Sequence, residues 1–260
     1  MKRVSPLLLL AAAILAPACG GDDGETATRG GTARITVAAA SDLRDVLAEI
    51  QPAIEQSCGA SITFAFGSSG QLKTQVEAGA PFALFLSADR QYPEQLQQAG
   101  LLAAEGLAPY AVGRIVLATR QGIQPLASFD GLRSGEVGRI AIGNPDHAPY
   151  GRAAKQALES SGLYAAIESK LVLAENIRQA TDYVERGDAD AAIVSLALVI
   201  KGSPVTYTVI DSGLHQPIEQ TGAIIRGSGA EDAAHCMLEY LRGPQGQAAL
   251  AAYGFEEPPR

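Results

Sequence analysis

The chain has 260 residues, of which 47% are hydrophobic and 18% charged, a balance that excludes wholesale disorder. Aromatic residues make up only 5% and tryptophan is absent, so the core must be built from Ala, Leu, Val and Ile. The formal net charge of −8 argues against nucleic acid binding, because a phosphate backbone requires clustered Lys and Arg. It does not exclude an anion that is held by local amide dipoles.

The first residues have the form of an export signal. Lys2 and Arg3 precede an apolar run over residues 7–16, which is shorter than the roughly 20 residues that span a bilayer. We therefore predict a signal peptide over residues 1–18 and an exported protein.

The residues after the signal predict a tether. Residues 19–31 are acidic and Gly-rich, as in a flexible linker. Cys19 directly follows the small residue Ala18, which fits a protein anchored by a lipid on Cys19. A cleaved secretory peptide without lipid is the alternative, because Ala16 stands where the lipoprotein motif usually has Leu.

Strand and helix patterns alternate through the first half of the chain. Short β-rich runs predict strands over residues 34–40, 61–66 and 83–86, and apolar periodicity predicts helices over residues 42–56 and from the turn 67–70 to about 78. Ser41 is expected to cap the first helix.

The alternation continues in the second half. Strands are predicted over residues 114–119, 139–142, 170–173, 191–194, 205–210 and 220–225, and helices over residues 152–160, 177–186, 230–241 and 247–255. Asn176 is the expected cap of the second of these helices, and residues 143–151 form a long loop. Such alternation is typical of an α/β protein whose sheets are mainly parallel and flanked by helices.

Three cysteines are present. With Cys19 set aside, Cys58 and Cys236 form an even pair in an exported chain, where disulfides persist. A disulfide between them and two separate buried thiols both remain open.

Several strand-to-helix turns carry small or hydroxyl residues. Ser41, the Gly-Ser-Ser-Gly turn at 67–70, the Pro-Tyr-Gly at 149–151 and the turn 174–177 each enter a helix. The first turn of a helix has unpaired N–H groups and the positive end of the dipole, so several such starts at one point make an anion site. Each turn alone is more often a plain cap or turn, and the prediction rests on their joint occurrence.

The turns belong to longer motifs that resemble the periplasmic molybdate-binding proteins of ABC transporters. The matching stretches, in the family's order, are AAASDL (38–43), FGSSGQL (66–72), EAGAPFALFLSAD (77–89), NPDHAPYG (144–151), ENIRQA (175–180) and YLRGPQGQAALAAYGF (240–255). They cover about residues 34–255. The resemblance implies a type II periplasmic-binding fold of two α/β lobes with a ligand cleft between them.

The resemblance also implies the domain boundaries and the binding residues. Lobe I is expected to comprise residues 32–112 and 222–260, and lobe II residues 113–221. The residues expected to bind the anion with neutral donors are Ser41, Ser69, Tyr150 and Ile177, with Asp42 beside them. No single lobe supplies all the donors, so hinge closure is expected.

Two positions distinguish this chain within the family. One branch has a ligand Tyr where Ser195 stands here, and another branch carries Tyr at the position of Tyr150, as this chain does. The second branch tends to have Asn where Asp42 stands. The backbone N–H of Asp42 is still expected to donate, but its carboxylate must then point away from the anion.

The donor set determines which anion is favoured. Molybdate, tungstate and sulfate are fully ionised and need donors only, whereas phosphate keeps a proton that needs an acceptor. Molybdate or tungstate is the expected ligand, and sulfate or phosphate is the alternative. If the Asp42 carboxylate points into the site, it can accept the proton of phosphate, and phosphate becomes a plausible ligand.

Other classes of function fit less well. A serine hydrolase would need Ser41, Asp89 and one of the three His residues as a triad, but no G-x-S-x-G elbow is present. His147 and His235 are expected at the surface. No clustered Cys or His suggests a metal site. The chain is therefore expected to be no enzyme and to need no cofactor. It is expected to act as a monomer in the periplasm or at the outer face of the cytoplasmic membrane, with an ABC permease as its partner.

Overall fold

The computed structural model describes residues 33–258. The predicted signal peptide (1–18), the tether (19–31) and Cys19 lie outside this range. The strands are β1 (Ala33–Ala40), β2 (Ala60–Gly67), β3 (Leu84–Ser87), β4 (Leu102–Gly113), β5 (Ile115–Thr119), β6 (Ile140–Gly143), β7 (Leu171–Ala174), β8 (Ala191–Ser195), β9 (Thr206–Val209) and β10 (Ile218–Ile225).

Residues 33–258 contain eight α-helices, six of which lie between strands and two of which follow β10. They are α1 (Arg44–Cys58), α2 (Ser69–Glu77), α3 (Gln91–Gln98), α4 (Pro149–Ser160), α5 (Tyr164–Ile167), α6 (Ile177–Arg186), α7 (Glu231–Arg242) and α8 (Pro244–Ala252). A single 3-10 turn, Ser41–Leu43, precedes α1. The predicted elements are confirmed with end shifts of a few residues, and the sequence patterns did not predict α3, α5 or β4.

The strands form two five-stranded sheets, in the orders β2-β1-β3-β10-β4 and β7-β6-β8-β5-β9. In the first sheet β10 is antiparallel to both its neighbours, and in the second sheet β5 is antiparallel to both its neighbours. The other four strands of each sheet run in one direction, which confirms the mainly parallel α/β prediction. The carboxyl ends of these parallel strands are where open α/β sheets bind ligands.

Each sheet has its own hydrophobic core. In the first sheet, one cluster of buried residues packs under α1, α7 and α8. A second cluster packs under α2 and α3 and includes Leu72, Val76 and Leu96. The second sheet packs against α4 and α6 through residues such as Ala154 and Val184. Small alanines line much of both cores, as the aromatic-poor composition predicts.

Cys58 and Cys236 form a disulfide. It links the end of α1 to α7, which pack against each other beside the first sheet. Of the two possibilities left open by the sequence, the structure therefore shows the bridged one.

Among residues 33–258, no helix combines the length and the apolar character that crossing a membrane requires.

Candidate functional site

A small cavity lies where five chain segments meet. About 190 Å³ of space lies between the surrounding atoms, part of it open to solvent. The residues that line it are Ala40, Ser41, Asp42, Gly67, Ser68, Ser69, Ala88, Ala148, Pro149, Tyr150 and Ile177. All five residues predicted to bind the ligand, Asp42 included, are thus brought to one place.

Ser41 begins the 3-10 turn that follows β1. Its side chain makes no capping bond, so the prediction of an N-cap is wrong. Its hydroxyl is buried and instead accepts a hydrogen bond of 3.4 Å from the backbone N–H of Arg178 in α6. The turn winds as a 3-10 segment before α1 starts at Arg44, which places Ser41 inside the cavity wall instead of at a helix end.

Ser69 is the first residue of α2. The preceding Ser68 is extended, with φ −76° and ψ 146°, and this sharp entry directs the start of α2 at the cavity. The Ser69 hydroxyl is buried and accepts a 3.0 Å bond from the backbone N–H of Ala88, which follows β3. Two neighbouring segments of the first sheet are thereby fixed together at the cavity wall.

The second sheet contributes the start of α4, which lies three residues earlier than predicted. Pro149 occupies the first helical position, where its missing N–H costs nothing. The N–H groups of Tyr150 and Gly151 lie in the first turn and have no acceptor within the helix. Tyr150 lines the cavity, so its N–H is available to an anion there.

The start of α6 completes the wall. Asn176 caps this helix as predicted, since its side chain accepts a 3.1 Å bond from the N–H of Gln179. Ile177 is the first helical residue, and its N–H lacks an intrahelical acceptor. Residues from both sheets therefore present helix starts to one cavity.

Asp42 is the centre of a buried polar network. Its Oδ2 accepts hydrogen bonds from the Tyr150 hydroxyl and from Nε2 of Gln220, both at 2.8 Å. The Tyr110 hydroxyl donates to Oε1 of Gln220 at 3.1 Å. Gly113 leaves room for the Tyr150 hydroxyl, because a Cβ at this position would overlap it. Sequence reasoning missed Tyr110 and Gln220, although polar residues within otherwise apolar strands were a usable signal.

Burial dominates the electrostatics of this network. Desolvation raises the pKa of Asp42 to about 6, and the hydrogen bonds from Tyr150, from its own backbone N–H and from Gln220 only partly oppose this shift. The pKa of Tyr150 and that of Tyr110 lie well above their usual value, first because of burial and then because of the nearby Asp42 charge. Both tyrosines therefore remain donors.

No Lys, Arg or His is among the cavity-lining residues that the structure describes. The nearby cations are already paired: Arg152 bonds to Asp89, and Arg178 lies 3.8 Å from Asp45 and 2.7 Å from Glu185. The groups left to attract an anion in the cavity are therefore backbone N–H dipoles and hydroxyls.

The residues considered for a serine hydrolase triad do not contact one another in the described part of the chain. The Ser41 hydroxyl contacts a backbone N–H, and Asp89 pairs with Arg152. His147 is only partly exposed: its side chain is 22% exposed, and its Nδ1 lies 2.8 Å from the Ser68 hydroxyl. Its Nε2 lies 3.9 Å from a Glu175 oxygen, beyond hydrogen-bond reach. His235 is exposed, as predicted.

Two further expectations concern single positions and metals. Ser195 ends β8, is buried, and accepts a 3.3 Å bond from the N–H of Ala197. It is not among the residues that line the cavity. Within residues 33–258 no cluster of three His, Cys, Asp or Glu side chains is arranged to hold a metal ion.

The chain resembles known proteins over nearly all of its described length. It is 33% identical to the molybdate-binding protein ModA of Azotobacter vinelandii over 86% of this chain and 90% of the relative. It is 31% identical to the putative ABC transporter substrate-binding lipoprotein YvgL of Bacillus subtilis over 85% of each chain.

The fold is shared with a solved structure, the Azotobacter vinelandii periplasmic molybdate-binding protein. The TM-score is 0.81 at 28% identity, and the match covers 86% of this chain and all of the other. The family of bacterial extracellular solute-binding proteins matches residues 35–256. This chain has two β-sheets flanked by helices and a cavity lined by the first residues of those helices, and it belongs to the bacterial extracellular solute-binding protein family.

Proposed function

We propose that the chain captures molybdate or tungstate outside the cytoplasmic membrane and delivers it to the membrane permease of an ABC importer. Its role is binding, without catalysis. The observation that carries the proposal is the cavity lined by helix starts from both sheets and by serines from the first sheet, with no cation among its described residues. The names of the relatives, which include molybdate binding and ABC transport, support it.

Two lobes enclose the anion in this proposal. We assign residues 32–112 and 222–260 to lobe I and residues 113–221 to lobe II, which follows the division of strands β1–β4 and β5–β9 between the sheets. Strand β10 crosses the second boundary, since it begins at Ile218 in the first sheet. Hydrogen bonds that join the lobes, such as Gly70 N–H to the His147 carbonyl at 3.0 Å, fit a closed state.

The donors suit a tetrahedral dianion. The Ser41 and Ser69 hydroxyls and the N–H groups of Tyr150 and Ile177 approach the cavity from separate directions. A hydrogen bond to a charged group contributes about 1.5–3 kcal/mol, so roughly seven of them would give a gross ~10–20 kcal/mol, which leaves the roughly 8 kcal/mol of micromolar binding after several kcal/mol are lost to immobilisation and closure. No Lys or Arg is required.

Phosphate is the second candidate, and a specific observation favours it. Asp42 lines the cavity, and its Oδ1 is a buried oxygen without a hydrogen-bond partner. An acceptor of this kind suits the proton of hydrogen phosphate. The two candidates therefore differ in whether the anion donates a hydrogen bond.

Calorimetric titration with molybdate, tungstate, sulfate and phosphate tests the assignment. We expect sub-micromolar binding of molybdate and tungstate and far weaker binding of the other two anions. Ser69→Ala should raise the Kd for molybdate about 10–100-fold, because it removes one hydrogen bond to a charged ligand. Its matched control is Ser61→Ala, on the exposed side of β2, which should leave the Kd unchanged.

The outcomes separate clearly. Tight phosphate binding without molybdate or tungstate binding would replace the first candidate by the second. If Ser69→Ala weakens molybdate binding no more than Ser61→Ala does, the anion lies elsewhere.

We further propose that a lipid on Cys19 holds the exported protein at the outer face of the membrane. The support is the Ala18-Cys19 junction after the apolar run and the lipoprotein name of the Bacillus subtilis relative. Intact mass measurement of the exported chain should show a start at Cys19 with an added diacylglyceryl group. A chain that starts at Cys19 without the lipid would contradict the anchor and leave the binding proposal intact.

A further inference from the structure

Asp42 differs from every other polar residue around the cavity. It is 1% exposed and lines the cavity, and its Oδ2 is fully engaged by Tyr150 and Gln220. Its Oδ1 is the single buried side-chain nitrogen or oxygen in the described part of the chain that has no hydrogen-bond partner in another residue. Buried polar atoms are nearly always paired, so an unpaired one at a cavity wall points to a partner that occupies the cavity.

The charges around Asp42 offer no compensation for a negative ligand. The titratable groups near Asp42 on the surrounding elements include Asp45 on α1, Tyr110 on β4, Tyr150 on α4, Arg178 on α6 and His147 in the loop before α4. Two further cations are engaged elsewhere: Arg44 of α1 stacks over the Phe66 ring, and Arg152 of α4 pairs with Asp89. The Arg178 guanidinium is engaged with the carboxylates of Asp45, Asp182 and Glu185. His147 is bonded to the Ser68 hydroxyl. An ionised Asp42 would therefore face a dianion without a cation between them.

Two like charges in a buried site strongly disfavour each other, and a proton between them relieves the repulsion. A neutral carboxyl group carries an O–H donor, which an oxyanion accepts and which gives Oδ1 the partner it lacks. We propose that Asp42 is a specificity-determining residue and that the occupied site holds one proton on the hydrogen bond between Asp42 Oδ1 and the anion. This inference rests on the proposed function in that the ligand is a tetrahedral oxyanion.

The source of the proton depends on the anion. A fully ionised anion such as molybdate requires Asp42 to take a proton from solvent, whereas hydrogen phosphate brings its own proton. Burial already raises the pKa of Asp42 to about 6, so the neutral form is more accessible than for an exposed aspartate. For molybdate, affinity should therefore fall as the pH rises above this value.

The test is calorimetry of the secreted chain with molybdate between about pH 6.5 and 8.5, in two buffers of different ionisation enthalpy. We expect uptake of about one proton per molybdate near pH 8, and a Kd that rises about tenfold per pH unit. Asp42→Asn should take up no proton and show a Kd that is independent of pH. Asp188→Asn removes the same charge at an exposed site and should behave like the wild type.

The proton count in the wild type needs no variant, so the test survives a folding defect in Asp42→Asn. Molybdate binding without proton uptake and with a flat Kd would overturn the inference and leave the proposed function standing. If only phosphate binds, the proposed ligand is wrong. In that case the inference is supported if phosphate binds without proton uptake and Asp42→Asn abolishes this binding. It is overturned if Asp42→Asn leaves phosphate binding unchanged. Failure of all four anions to bind would overturn both.

Discussion

Replacing Cys58 and Cys236 together by alanine is expected to lower the free energy of unfolding by about 4 kcal/mol. The two cysteines are 178 residues apart and bonded to each other. A cross-link that closes so long a loop restricts the unfolded chain, and removing it gives that chain more conformational entropy. The gain in entropy stabilises the unfolded state by about 4–5 kcal/mol, before any relaxation of the folded state. Urea unfolding of the oxidised wild type and of the double variant measures the difference.

The same variant should bind its ligand with unchanged affinity under conditions where it is folded. Cys58 ends α1, which is 15 residues long, so it lies roughly 20 Å from the Ser41 end of that helix. The wild type in reducing agent is the matched control and should unfold like the variant. A loss of less than about 1 kcal/mol in both would show that the unfolded chain is not constrained by the bridge.

The alternation of strands and helices was predictable because most elements bury one regular face. Helix α1, for example, buries Val46, Leu47, Ile50 and Ile54 at helical spacing. Helix α3 was missed because it buries only Pro93 and Leu96 among polar residues. Such a helix depends on tertiary packing more than on its own pattern.

Strand β4 was missed for a different reason. Its alternation is interrupted, with Glu105 at φ 57° and two register shifts in its pairing with β10. Bulges of this kind break the period of two that predicts a strand. The antiparallel placement of β10 could not be predicted either, because it depends on a return from the second sheet.

The site was predictable as a set of helix starts and unpredictable as a network. The motifs place Ser41, Ser69, Tyr150 and Ile177 at turns, and the structure brings these turns to one cavity. The partner of Asp42, Gln220, is 178 residues further along the chain, and no local pattern encodes such a contact. The unpaired Oδ1 of Asp42 is visible only when the whole network is assembled.

Gly151→Ala is expected to destabilise the fold by about 3 kcal/mol or more and to weaken molybdate binding about 100-fold. Gly151 is the third residue of α4, and a Cβ there would overlap the backbone carbonyl oxygen of Gly143 at the end of β6. The overlap can be relieved only by moving the start of α4 away from the end of β6. The expected loss of stability is therefore at the upper end of the range for overpacked sites. The shift would carry the Tyr150 N–H away from the anion, and two weakened bonds to a charged ligand account for the loss of affinity.

Gly135→Ala is the matched control, because a Cβ at Gly135 meets no atom within 4 Å and its backbone is not left-handed. It should change stability by less than about 1 kcal/mol and leave binding intact. Urea unfolding and calorimetry on both variants separate packing from recognition. A Gly151→Ala protein that is destabilised yet binds molybdate like the wild type would place the anion away from the start of α4. Of the predicted donors from the second sheet, the N–H of Ile177 would then remain and that of Tyr150 would be excluded.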